Sequence, residues 1–215
     1  MTRTHRLTAA LLLGGVVLLL PACNILTPVF FAVHGPGSVQ ARHELDQQAA
    51  TVVFVDDPAG VTTDRTLRNL LARTATETLM TRAGMADMLD PAPVIALASR
   101  DSFENPMSIT EIGKKVGAKT VIYVAINRFD LRGAGETFLP SAVVSVKVMD
   151  VEQSRRVWPA AAEGHMLRVG GDYKPGDIPS TATDITRAQE SLALQAGVGV
   201  AQLFYTHEIT QSVTR

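Results

Sequence analysis

Several stretches of this 215-residue chain carry side chains that could do chemistry, and their spacing decides which of them can. Asp56 and Asp57 close the apolar run "ATVVFVDDPAG", at a strand end of the kind where α/β proteins present ligand groups. Acidic residues ahead of Pro58 and Gly60 also form turns, and no second acidic pair or histidine adjoins them, so a turn is the expected role. His34, His43, His165 and His207 form no HxxxH or HExxH pattern; surface or loop positions are expected and no metal site. "GAGETF", Gly133 to Phe138, starts like a dinucleotide fingerprint but lacks the third glycine and leads toward a strand, which predicts a strand connection. "SRDSFENP" supplies Ser99, Asp101 and Ser102 without a GxSxG elbow or a nearby histidine. Arg155, Arg156 and Trp158 are residue types found at binding hot spots and form a candidate interface, although Trp158 also suits a strand core. No catalytic residue, metal ligand or cofactor-binding residue is expected from these patterns, and an enzyme is not.

The chain has a single cysteine, Cys23, inside "LLLPACNIL". It follows "MTRTHR", a positive segment, and the apolar run Leu7 to Leu20, the order of an export signal. Those 14 residues would give about 21 Å of helix, too short for a hydrocarbon core of about 30 Å. "LPAC" (Leu20, Pro21, Ala22, Cys23) resembles the bacterial lipobox, in which the cysteine sulfur receives a diacylglycerol before cleavage. The resemblance implies cutting between Ala22 and Cys23, diacylglycerol and an N-acyl chain on Cys23, and a mature chain of 193 residues (215 less 22). Each buried CH₂ of the acyl chains contributes about 0.8 kcal/mol of membrane affinity. Asn24 stands where an Asp favours inner-membrane retention in enterobacterial lipoproteins, which resembles the outer-membrane pattern, facing the periplasm. With Cys23 acylated no cysteine is left for a disulfide, so the fold must rest on packing.

Residues 1–22 thus read as a lipoprotein signal peptide, 23–50 as acylated cysteine and tether, and 51–215 as a single α/β envelope domain. Within the tether, Phe30 and Phe31 of "TPVFFAV" are costly to leave in water and could also form a membrane-proximal or partner-binding segment. Removing Arg3 and Arg6 leaves 18 basic against 21 acidic residues, a balance of −3 that argues against nucleic-acid binding.

The expected elements follow from periodicity. "ATVVFVDDPAG" predicts a buried strand and turn. Thr63 or Asp64 caps a helix to about Ala83 with Leu67, Leu70, Leu71, Ala75, Leu79 and Met80 on one face, ended by Gly84. Met85 to Leu89 suggests a short edge strand and Pro93 opens a short helix toward Ala98. Ser108 and Glu111 form a capping box for a helix that Gly117 terminates. Thr120 to Ile126 reads as a central strand, and "SAVVSVKVMDVEQSRRVWPAAAEG" as two strands about a turn at Glu152 to Ser154, with Val144, Val146 and Val148 on an apolar face. "GGDYKPGDIPS" is a loop, and Thr183 to Thr206 a long helix with Ile185, Leu192, Ala196 and Val200 inward, whose Gly197 and Gly199 mark a close crossing over the sheet. The fold class is α/β (α+β): a mixed sheet of four or five strands packed by helices, in the order β-α-(β)-α-β-β-β-α.

This order, with "VVFVDDPAG", "ITEIGKKVGAKTVIYVAINRF" and "VSVKVMDVEQSRRVW", resembles the periplasmic domain shared by the curli-secretion lipoproteins, the lipoprotein activators of penicillin-binding proteins and the N-terminal domain of the Tol-system β-propeller protein. The likeness covers roughly Thr51 to Glu163. It implies an envelope lipoprotein whose work is binding and assembly, with another envelope protein or its own copies as partner. A small-ligand or enzymatic domain using the strand ends near Asp56 and Asp130, and an accessory lipoprotein of a transporter, are the alternatives.

Overall fold

A computed structural model describes residues 37–62, 64–99, 107–133, 137–171 and 178–208. The described residues fall into two units, one holding residues 37–40 with 206–208 and the other lying within residues 41–205. In the first, β1 (Ser38–Val39) pairs antiparallel with β7 (His207–Glu208), and Thr206 Oγ1 lies 3.3 Å from Gln40 Oε1.

The second unit is an α/β domain built on a five-stranded mixed sheet: β2 (Thr51–Asp56), β3 (Thr120–Arg132), β4 (Phe138–Asp150), β5 (Arg155–Trp158) and β6 (His165–Gly170). Parallel strands need a long crossover, and three helices supply it between β2 and β3: α1 (Arg65–Arg82), α2 (Ala92–Ala98) and α3 (Ile109–Val116). β3 and β4 form a long antiparallel hairpin, and β5 and β6 both pair antiparallel with β4, toward opposite ends of it. The last helix, α4 (Ala182–Gln202), packs along α1 and reaches β4 and β6.

Register shows why β3 is buried on both faces from Val121 to Ile126. Gly113 of α3 lies against Val121, whereas Gly199 of α4 lies against Leu167 and Val169, and Leu167 is opposite Val144, itself opposite Ile126. Val121 and Ile126 are five residues apart and so point to opposite faces. The domain therefore has helices on both sides of this part of the sheet, α1 and α4 on one and α3 on the other.

The capping chemistry is as the sequence predicts. Asp64 accepts from Thr66 N, Ser108 and Glu111 make a reciprocal capping box, and Gly117 adopts φ 79° where α3 ends. α2 begins with Ala92 and Pro93 in its first turn.

Other expectations are corrected. Met85 to Leu89 is not a strand: only Met88 bridges Thr51, with Thr51 N donating to Asp87 O and Leu89 N to Thr51 O. β3 runs on past Ile126 to Arg132, because β-bulges at 126/128 and 130/132 let polar residues continue pairing with β4. β6 falls where no strand is expected; its half-buried residues His165, Leu167 and Val169 alternate with exposed ones. Met80 and Ile185 are exposed rather than inward. α4 ends at Gln202, and Gly197 crosses α1 rather than the sheet: an added Cβ would stand 2.7 Å from Leu71 O. Residues 41–50 are held against the domain, since Arg42 N and His43 N both donate to Leu203 O and Ala49 is buried.

Candidate functional site

Of the residues singled out in the sequence, Ala22, Cys23, Phe30, Phe31 and His34 lie outside the described residues, as do Asp101 and Ser102. Gly133 N donates to Thr137 O at the β3–β4 connection, and residues 134–136 lie outside the described set. Ser99 Oγ donates to Ile95 O, which closes α2.

Two places bring functional side chains together. The first surrounds Trp158. The carbonyls of Ala160 and Ala162 accept from the Arg156 guanidinium at 2.9 and 3.3 Å, and Arg155 Nε donates to Gln153 Oε1, so both arginines brace the chain beside β5. Arg155 remains exposed, whereas Trp158 is half-buried. Its indole stacks on His43 at 5.7 Å and 19°, and it lies 5.1 Å from the His165 ring and 5.9 Å edge-to-face from Phe204. Trp158 is therefore shared between the core margin and the surface. Burial lowers the His43 pKa, partly offset by Glu44; burial and the Arg42 charge lower that of His165. Sequence spacing missed this arrangement, because His43, Trp158, His165 and Phe204 come from four separate segments.

The second place is a cavity of about 950 Å³ at the end of β2, on the α3 side of the sheet. Its apolar wall includes the buried Phe54 and Ile112, and Ile109, Met107 and Met149. Asp56 lies on the wall, where Tyr123 Oη donates to its Oδ2 at 2.8 Å and Asp57 N to its Oδ1 at 2.8 Å. Burial first, then the Asp56 charge and hydrogen bond, push the Tyr123 phenol well above its ordinary range, so it stays a donor. Asp57 accepts from Val61 N at 2.8 Å and Thr62 N at 2.6 Å, which makes it the turn former the sequence predicts. Arg65 and Arg68, one helical turn apart on α1, also line the cavity. Among the described residues neither is in an ion pair, and Arg68 Nε is buried without a hydrogen-bond partner. The strand-end reading anticipated Asp56 here but not the arginines. Asp130 is elsewhere, exposed on β3 and 3.5 Å from Arg128.

Among the described residues no group of three His, Cys, Asp or Glu side chains could hold a metal ion, and no helix is long and apolar enough to cross a membrane.

No family model matches the chain. No curated protein matches it either. Among solved structures it is similar to the PelC dodecamer from Paraburkholderia phytofirmans, with 16% identity, a TM-score of 0.46, and coverage of 78% of this chain and 91% of that one. It is similar to the lipoprotein GNA1162 from Neisseria meningitidis (10% identity, TM-score 0.38, 64% and 90% covered). A C-terminal domain of LpoB from Salmonella enterica gives 14% identity, a TM-score of 0.32 and coverage of 57% and 83%.

Proposed function

We propose that this protein is a cell-envelope lipoprotein, held on a membrane through acylated Cys23, whose α/β domain works by binding another envelope protein or its own copies. The observation that carries the reading is the ordered signal that ends at Cys23: positive segment, apolar run, small residue, cysteine. In sequence, residues 24–40 separate that anchor point from the second compact unit, which begins at Ala41. Outer-membrane attachment facing the periplasm follows from Asn24 under the enterobacterial rule. The exposed Arg155 and Val157 beside Trp158 form the first interface to test.

Cross-linking the full chain in intact envelopes tests the binding role. A discrete adduct, with a partner or with a second copy, is expected, and Arg155→Glu should weaken it several-fold, since reversing a charge at an interface adds repulsion. A chain that stays monomeric and cross-links to nothing discrete would contradict the reading.

The cavity beside Asp56 favours a second reading, in which the domain also binds a small ligand.

A further inference from the structure

We propose that the cavity at the end of β2 receives an amphiphilic anion, an apolar body bearing a carboxylate or phosphate head, with Arg65 and Arg68 taking the head. The inference rests on the small-ligand reading and names its chemistry.

The cavity brings two aspartates and two arginines together. Its two carboxylates are already engaged: Asp56 by the Tyr123 hydroxyl and the Asp57 amide, Asp57 by the amides of Val61 and Thr62. The two guanidiniums have no such carboxylate or amide partner among the described residues. Arg65 and Arg68 sit three residues apart on one face of α1, and neither has a carboxylate within ion-pair distance among the described residues. Arg65 is exposed and Arg68 half-buried, yet Arg68 Nε is itself removed from solvent with nothing to donate to among the described residues. A buried cationic donor without an acceptor is unfavourable, and an acceptor brought by a ligand removes that cost. The planar guanidinium presents paired N–H groups that match carboxylate or phosphate oxygens.

The rest of the wall selects the body of the ligand. Phe54, Ile109, Ile112 and Met149 supply an apolar part of a lining that is otherwise polar, and about 950 Å³ is room for a molecule much larger than a bare anion. Inorganic phosphate would use the arginines and leave this surface unfilled. An apolar compound without a head would leave Arg68 Nε unsatisfied.

Calorimetric titration of the purified full chain with 1-naphthoate, 1-naphthyl phosphate and the neutral 1-naphthol separates these cases. At least one anion should bind, and the naphthol should bind about tenfold more weakly or worse, the loss expected when a charge-assisted pair is missing. Arg68→Met should bring the anion down to the level of the naphthol and leave naphthol binding unchanged. If that variant does not fold, Arg65→Met, at an exposed position, should still weaken the anion several-fold relative to the naphthol. Preference for one head over the other would support the proposal and identify the head. Equal binding of naphthol and anions, or anion binding indifferent to the arginine changes, would overturn the proposal while leaving a small-ligand pocket in place. No binding by any of the three would overturn both.

Discussion

His43 and His165 flank the single tryptophan, and their environment makes a pH-dependent stability readable at one residue. Burial holds both imidazoles below their ordinary pKa in the folded domain. The unfolded chain therefore binds more protons in that range, and folding stability rises with pH. The contribution is complete above the ordinary histidine value near ~6.5 and is lost as pH falls through the lowered folded values. The capping carboxylates Asp64, Glu111 and Asp184 are also lowered, but their contribution is lost only below about pH 4, so the two windows separate. Melting temperature should fall between pH 7.5 and pH 5, with a change in Trp158 fluorescence, and the double variant His43→Gln, His165→Gln should flatten both. An unchanged melting temperature across that range would contradict the assignment. None of this was legible from spacing, which shows histidines as isolated letters. Asp57 was legible, because an acidic residue before "PAG" has a local job that neighbouring amides complete.

At the scale of the element, Gly197 decides how close α4 and α1 come. A Cβ there would meet Leu71 O at 2.7 Å and Thr74 Cβ at 2.8 Å, contacts that require the helices to separate. Alanine gains about 1 kcal/mol in helix propensity over glycine, while overpacking costs about 1 to 3 kcal/mol. Backbone cannot yield as a flexible side chain can, so the second effect should win: Gly197→Ala is expected to lower stability by up to about 2 kcal/mol in urea unfolding. Gly199→Ala meets only methyl groups of Val169 and Leu167, at 3.2 and 3.4 Å, and should be close to neutral. A stabilising Gly197→Ala would show that the helices do not pack this tightly. The elements with local signals were the readable ones: the capping box at Ser108 and Glu111, the αL stop at Gly117 and the apolar run of β2. β6 was not, because its six residues include Arg168 and end in Gly170, and its strand character comes from pairing with β4. The polar second half of β3 escaped for the same reason.

For the whole molecule, the sequence order specified a mixed α/β sheet because long-range pairing follows from alternating strands and helices. It could not specify the cavity, whose Phe54, Arg68, Ile112 and Tyr123 belong to four elements and meet only in the folded domain. The proposed anchor at Cys23 is of a different kind, since an anchor signal is read in the unfolded chain and needs only linear order. Intact-mass analysis of the full-length gene product purified from its native envelope, with fragmentation across the N-terminus, tests the functional account most directly. A chain beginning at Cys23 and carrying diacylglycerol with an N-acyl group is predicted. A chain that retains residues 1–22 and a free Cys23 thiol would contradict it.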